Sequence, residues 1–322
     1  MGSLFCLAFL LAGACDPSYA DSTAADSIAA DGVIASPEPD WPQWRGPRRD
    51  GICEAQGLLP SWPDGGPPLR WKVDGLGTGW SSPIVVKGRL FVTGDVGDDL
   101  VVLAFNGDGQ RLWRSTNGRA WKGSYPGARA SCTFSEGRLY HLNAHGRLAC
   151  LDPETGAEHW SLDILDRFGG ENITWALSES VLVDGQRVVV TPGGTRALMA
   201  ALDKRDGRTV WTTEPLGEDR ASHSSPLLFR CGGRRVIANC SSAHGFGVDA
   251  DSGQLLWTVP LKNQFGVNTA SPVYGDGSVF FVTPYAEEGR LYRLPASGQS
   301  VTPEHVWSSP LDTVTGCAVL LE

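Results

Sequence analysis

The sequence predicts an all-β protein, a β-propeller built from four-stranded antiparallel blades. A tryptophan recurs about every 40 to 50 residues, which leaves room for the four short strands of one blade. A tight turn precedes most of these tryptophans, and the composition is rich in turn-forming residues, with Gly 40 and Pro 21. The recurring tryptophans are Trp71, Trp113, Trp160, Trp211, Trp257 and Trp307.

The turn before the tryptophan has a common pattern in three repeats. DPETGAEHW, DKRDGRTVW and DADSGQLLW each place Asp eight residues and Gly four residues before the Trp. Asp accepts hydrogen bonds from backbone N–H groups two residues on, and Gly adopts the positive φ that a tight turn requires. We therefore assign these residues to blade structure and expect the tryptophan to end the outer strand and fill the space between blades. The assigned turn residues are Asp152, Gly156, Asp203, Gly207, Asp249 and Gly253.

A second repeated feature marks the start of the innermost strand. Ser82-Pro83, Ser225-Pro226 and Ser271-Pro272 each lie about a dozen residues after a repeat tryptophan and precede a Gly-containing turn and an alternating strand. Cys132 and Val181 hold the same place in the other two repeats. The two features together predict four antiparallel strands in each repeat and five complete blades.

Three regions are predicted along the chain. Residues 1–20 have the pattern of a leader, because the apolar run at 4–14 is too short to span a bilayer but suits a signal peptide. Cys15, in the sequence Ala-Gly-Ala-Cys, offers lipidation as the alternative, and both alternatives remain open. Residues 21–39 lack periodicity and are predicted to form a flexible tether, and residues 40–322 are predicted to form the propeller.

Charge and cysteine content narrow the classes of partner. Lys+Arg 27 against Asp+Glu 36 gives a net charge of −9 without any basic block, which argues against nucleic acid and anionic membrane surfaces as partners. A membrane contact is expected only through the leader or a lipid anchor. The chain has no Cys-x-x-Cys motif. Cys132 could pair with Cys150, or Cys231 with Cys240, in a disulfide; the alternative is that these cysteines are small buried residues with free thiols.

The repeat A-x-D-x-x-[TS]-G-x-x-x-W resembles that of the PQQ-like (pyrroloquinoline quinone repeat) β-propeller family, which includes the BamB-like propellers. The opening DWPQWRGP at 40–47 resembles the start of secreted planctomycete-type members of this family. The resemblance implies seven or eight blades, so we expect the sequence to be truncated at its C-terminus by about two blades or more. The superfamily also includes quinoprotein dehydrogenases. The resemblance therefore implies that the protein either binds no cofactor or binds pyrroloquinoline quinone with calcium.

The predicted binding residues lie at one end of the central channel. The starts of the innermost strands and the turns between second and third strands share this end, whereas the Asp–Gly turns lie at the other. The candidate ligand-binding residues are Trp80, Arg129, His145, Trp175, His223, His244 and Asn268. We assign no catalytic residue and no metal site, because the adjacent cysteines implied for a quinoprotein are missing and Glu179 is the one acidic residue among the strand starts.

These features favour a non-catalytic scaffold of the periplasm or cell envelope that needs no cofactor. Its partner is expected to be an envelope protein or an extended polymer. A quinone-dependent dehydrogenase is the first alternative. A glycan- or polymer-binding module is the second, suggested by Trp80, Trp175 and Arg129 at one mouth of the channel.

Overall fold

The computed structural model describes residues 31–38, 40–285, 288–294, 302–311 and 313–321. The predicted leader at 1–20, Cys15 and the first half of the predicted tether lie outside the described residues. The strands are, in chain order, β1 (Gly32–Val33), β2 (Ile84–Val86), β3 (Arg89–Val96), β4 (Asp99–Asn106), β5 (Arg111–Arg119), β6 (Thr133–Ser135), β7 (Arg138–Leu142), β8 (Arg147–Leu151), β9 (Glu158–Asp163), β10 (Leu182–Asp184), β11 (Arg187–Val190), β12 (Ala200–Asp203), β13 (Thr209–Thr212), β14 (Leu227–Cys231), β15 (Arg234–Cys240), β16 (His244–Asp249), β17 (Leu255–Pro260), β18 (Val273–Gly275), β19 (Ser278–Thr283), β20 (Glu288–Arg293) and β21 (Glu304–Pro310). One short helix, α1 (Ile164–Phe168), follows β9.

The strands form five sheets, each containing a blade of four consecutive antiparallel strands, and one of the sheets is extended by β1. The blades are β2–β5, β6–β9, β10–β13, β14–β17 and β18–β21, numbered one to five below. Each blade begins with its innermost strand and ends with its outermost, so the predicted β-propeller of four-stranded blades is confirmed. In the part of the chain that is described, no helix is long and apolar enough to cross a bilayer.

Three of the repeat tryptophans join their blade to the next through the indole N–H. The indole N–H of Trp113 in blade one donates to the carbonyl of Pro153 in the turn of blade two, at 3.0 Å. Trp160 and Trp211 make the same bond to the turns of the blades that follow them. The prediction that the tryptophan ends the outer strand is wrong, because Trp113 is the third residue of β5 and the strand runs on to residue 119.

The glycine of each turn permits this joint. A Cβ on Gly156 would lie 2.6 Å from the ring of Trp113, and one on Gly253 would lie 2.6 Å from the ring of Trp211. Both glycines also have positive φ, 73° and 79°. Asp152 supports the turn by accepting hydrogen bonds from the backbone N–H groups of residues 154 and 155.

A row of serines links the starts of the innermost strands. The backbone N–H of Ser131 donates to the hydroxyl of Ser180, and the N–H of Ser180 donates to that of Ser225, at 3.0 and 2.9 Å. The same bond joins Ser82 to Ser131 and Ser225 to Ser271. The serine seen three times beside proline in the sequence therefore has a structural role between neighbouring blades.

Residues 31–38 and 40–51 form a segment, here called the plug, that packs against the innermost strands. β1 pairs with the free edge of β14. Trp41 pairs with Val85 in blade one, and the carbonyl of Pro42 accepts the N–H of Phe134 in blade two. The buried guanidinium of Arg49 donates to the carbonyls of residues 180 and 181 in blade three. Because the innermost strands of a propeller line its channel, the plug lies inside the channel.

Acidic side chains fix the plug at the lower end, where the turns between first and second strands lie. The carboxylate of Asp31 accepts the backbone N–H of Gly232, and that of Asp40 accepts the N–H of Lys87, both at 2.8 Å. The predicted flexible tether is thus corrected for its described part, since residues 31–38 are bonded to the blades. The six described cysteines are free, so neither alternative disulfide forms.

Candidate functional site

The upper mouth of the channel is the end at which the innermost strands begin, opposite the Asp–Gly turns. The loops that enter these strands lie here, together with the turns between second and third strands. Several large aromatic side chains at this mouth are exposed. They are Trp80 at 57%, Tyr125 at 67%, Phe265 at 54% and Tyr285 at 38%.

Two of these rings, Trp80 and Tyr125, lie on one side of the mouth together with Trp121, where the loop 121–127 meets Trp80. The indole N–H of Trp80 donates to the carbonyl of Pro126, and that of Trp121 donates to the carbonyl of Ser124. The backbone N–H of Trp80 also donates to the carbonyl of Ala128, at 2.7 Å. We call Trp80, Trp121 and Tyr125 with this loop the aromatic clamp.

Arg129 supports the clamp from below. Its Nη2 donates to the carbonyls of Ser124 and Tyr125, at 3.0 and 2.8 Å, and its guanidinium carbon lies 5.8 Å from the centre of the Trp121 ring. Burial lowers the pKa of Arg129, and the nearby carboxylate of Asp95 opposes this shift. Arg129 therefore fixes the shape of the loop through two of its carbonyls.

Asp95 holds the start of the same loop. One of its carboxylate oxygens accepts the backbone N–H of Trp121 at 2.8 Å. The other oxygen is buried and has no hydrogen-bond partner among the described residues. Burial is the main cause that raises the pKa of Asp95, and the N–H of Trp121 opposes it.

The backbone of the clamp is strained at its tip. Tyr125 has a φ of 52°, in the left-handed region that a residue with a Cβ seldom adopts. Gly127 has a φ of 127°, and a Cβ there would lie 3.0 Å from the backbone of residues 78 and 79. Such strain persists only where the surroundings impose it, and it is concentrated at binding and catalytic sites.

A second aromatic group lies on the other side of the mouth. The rings of Trp175 and His223 are 6.2 Å apart, those of Trp175 and Phe265 are 6.5 Å apart, and Phe265 meets Tyr285 edge-on at 4.8 Å. Burial, helped by the positive charge of Arg129, lowers the pKa of His223 to about 4. His223 is therefore a neutral imidazole near pH 7.

Three predicted site residues remain: His145, His244 and Asn268. Only His145 contacts one of the two aromatic groups, through the ring of Trp121. The ring of His145 lies 5.4 Å from that of Trp121 in a tilted arrangement, and its Nε2 lies 3.2 Å from the carbonyl of Ala120. His244 is held by the carboxylate of Asp219 at 2.8 Å. Asn268 is fully buried, and its side chain donates to the carbonyl of Ser241. The sequence therefore indicated the end of the channel at which Asn268 lies, but not the structural role of its side chain.

Two buried ionisable groups, Glu179 and Arg49, lie near the boundary between the plug and the upper mouth. Glu179 is 3% exposed, and one of its oxygens accepts the N–H of Thr191. Burial raises the pKa of Glu179 to about 8, against the opposing effects of Thr191 and Arg49. Burial also lowers the pKa of Arg49 to about 10. Among the residues described, no group of three or more His, Cys, Asp or Glu side chains is arranged to hold a metal ion.

Sequence reasoning missed Trp121, Tyr125, Phe265 and Tyr285. They lie in irregular loops and turns, so no strand alternation marks which way their side chains point. A usable signal was present in WKGSYPG at 121–127, where two aromatic residues stand among Gly and Pro in a connection between blades.

Comparisons with known proteins found a matching family model and several similar proteins. A family model described as outer membrane protein assembly factor BamB matches residues 98–320. The quinohemoprotein alcohol dehydrogenase ADH-IIG of Pseudomonas putida is 29% identical over 156 residues, which cover 42% of this chain and 21% of the dehydrogenase. BamB from Moraxella catarrhalis has a TM-score of 0.49 and 14% identity, over 73% of this chain and 62% of that chain. The computationally designed Ika8 protein has a TM-score of 0.51 and 13% identity, over 75% of this chain and 65% of that chain.

Proposed function

The chain belongs to the family of the outer membrane protein assembly factor BamB, and from this premise we propose that it is a non-catalytic cell-envelope propeller that binds its partner at the upper mouth. The observation that carries the proposal is the exposure of Trp80, Tyr125, Phe265 and Tyr285 at one mouth. Aromatic side chains bury large areas at little cost in conformational entropy, which makes them common anchors of binding surfaces.

At the lower end of the channel, the turns are engaged by other parts of the chain. Its Asp–Gly turns receive the repeat tryptophans, as the bond from Trp113 to Pro153 illustrates. The turns at the foot of the innermost strands are bonded to Asp31 and Asp40 of the plug. A partner is therefore expected at the upper mouth.

The proposed partner is an envelope protein or an extended polymer, and the proposed location is the periplasm or cell envelope. The leader at residues 1–20 supports export, with lipidation of Cys15 as the alternative mode of attachment. The net charge of −9 gives no attraction to nucleic acid.

Photo-crosslinking of the full chain in its own cells tests this function. Tyr125→p-benzoylphenylalanine places the reactive group at the upper mouth. Leu112→p-benzoylphenylalanine is the matched control, because Leu112 is also exposed, at 44%, but lies on the outer strand β5. We expect a cross-linked product from position 125 and little from position 112. No product from 125, or equal products from both, would contradict the proposal.

A quinone-dependent dehydrogenase is a second candidate, favoured by the 29% identity with a quinohemoprotein alcohol dehydrogenase. The described residues do not fit the site that the resemblance implies. Adjacent cysteines are missing from the sequence, and Glu179 is buried with one carboxylate oxygen bonded to Thr191. Purified full-length protein is expected to take up no pyrroloquinoline quinone at micromolar concentration with calcium. Calcium-dependent uptake, measured by equilibrium dialysis, would overturn the non-catalytic assignment.

A further inference from the structure

We propose that the aromatic clamp binds the pyranose rings of a neutral polysaccharide, with Trp80 and Tyr125 as the stacking residues. This inference rests on the proposed function and names the class of its ligand. It is carried by the hydrogen bonds, the charge balance and the backbone conformation of the clamp.

The hydrogen bonds of the clamp leave ring faces as its main binding surface. The indole N–H groups of Trp80 and Trp121 are both bonded to carbonyls of the loop 121–127. Trp80 and Tyr125 are nevertheless 57% and 67% exposed. A ligand gains from such rings by covering their faces, and the C–H face of a pyranose is flat, weakly polar and of suitable size. The hydroxyl groups at the edge of the sugar can stay in water.

The charges around the clamp match a neutral ligand. Lys122 pairs with Asp98 at 3.4 Å, and Arg129 lies near the carboxylate of Asp95. These two cations and two anions balance. The donors on Nη2 of Arg129 are also directed at carbonyls of the loop rather than at solvent. An acidic polymer would therefore find no net attraction at the clamp, and its charge would have to be desolvated without compensation.

The loop is fixed before any ligand arrives. Arg129 and two indole groups bond its carbonyls, and Asp95 bonds the N–H at its start. These bonds hold Tyr125 at its φ of 52°. A loop already held in one conformation loses little entropy on binding, which matters for a ligand that forms few strong bonds.

The second aromatic group favours a polymer over a single sugar. Trp175, Phe265 and Tyr285 form a continuous set of ring contacts across the mouth from the clamp. A chain of sugars that passes over the mouth can stack on both groups. The two weak contacts then add through effective concentration.

Affinity gel electrophoresis of the purified full chain tests the proposal. Native gels contain hydroxyethyl cellulose or galactomannan as neutral polymers, or pectin as an acidic one. We expect retardation by at least one neutral polymer and less by pectin. The double variant Trp80→Ala/Tyr125→Ala is expected to weaken retention about tenfold or more. The single variant Tyr125→Phe should keep most of the retention of the unaltered protein, because stacking needs the ring and not the hydroxyl.

Trp307→Ala is the matched control, since Trp307 is 42% exposed but lies on the outermost strand of blade five, β21. It should leave retention unchanged, and urea unfolding should show that all variants are folded. No retardation by either neutral polymer, equal retention of the double variant, or stronger retention by pectin would overturn the proposal. If retardation is absent while Tyr125→p-benzoylphenylalanine still forms its product, the ligand class is wrong and the binding function stands. If both are absent, both proposals fail.

Discussion

Trp211 and Trp307 occupy the same position in two repeats, but their surroundings differ. Trp211 is 7% exposed, and its indole N–H donates to the carbonyl of Ala250 in the next blade. Trp307 is 42% exposed and lies in β21, every residue of which is exposed. The difference shows that the repeat determines where the tryptophan lies in the outer strand. The burial of its ring depends on the turn of the following blade. Its contribution to stability should therefore depend on that turn.

Trp211→Ala is the largest expected change. It removes a buried ring and leaves a cavity between blades three and four, so we expect the free energy of unfolding to fall by about 3–5 kcal/mol. Urea unfolding followed by circular dichroism measures the loss. A loss below about 1 kcal/mol would mean that the joint is not a major source of stability.

Gly253→Ala tests the same joint from the side of the turn, without altering the tryptophan. The new Cβ would lie 2.6 Å from the ring of Trp211, and the residue would have to keep a φ of 79°. The φ alone costs about 1–2 kcal/mol, and the clash adds to it. Gly137→Ala is the matched control, because Gly137 has a φ of 71° with no atom near the new Cβ. Equal losses of stability in the two variants would show that the close approach of the ring is unimportant.

Trp307→Ala should have the smallest effect. The ring is partly solvated, although it lies 5.6 Å from Phe280. We expect a loss of about 1 kcal/mol or less in the same urea experiment, in line with substitutions at exposed sites. A loss equal to that of Trp211→Ala would show that β21 is covered in solution.

The blades were predictable because their information is local. Each Asp–Gly turn and each alternating strand lies within a few residues of its partner, as in DPETGAEHW and the strand that precedes it. The place of the tryptophan within the outer strand was not predictable. The second half of β5 reads RSTNGR, and such a polar segment carries no alternation of apolar residues.

The upper mouth and the plug were harder to predict, for different reasons. Trp80 could be placed at the mouth from the position of its strand, but Tyr125 lies in a loop whose shape depends on Arg129 and Asp95. The plug looked like a tether because β1 has only two residues. Its order comes from partners far away in the sequence, which no local pattern records.

The plug has a consequence for the order in which the chain folds. Its hydrogen bonds join residues 201 positions apart, from Asp31 to Gly232, and 273 positions apart, from Arg45 to Ala318. The ladders within a blade join neighbouring strands and close short loops. Since closing a long loop costs more entropy and slows folding, the blades should form first and the plug should dock late. The plug precedes the five described blades in the chain and is thus among the last segments to reach its native position, so its docking indicates that the blades it contacts have already formed.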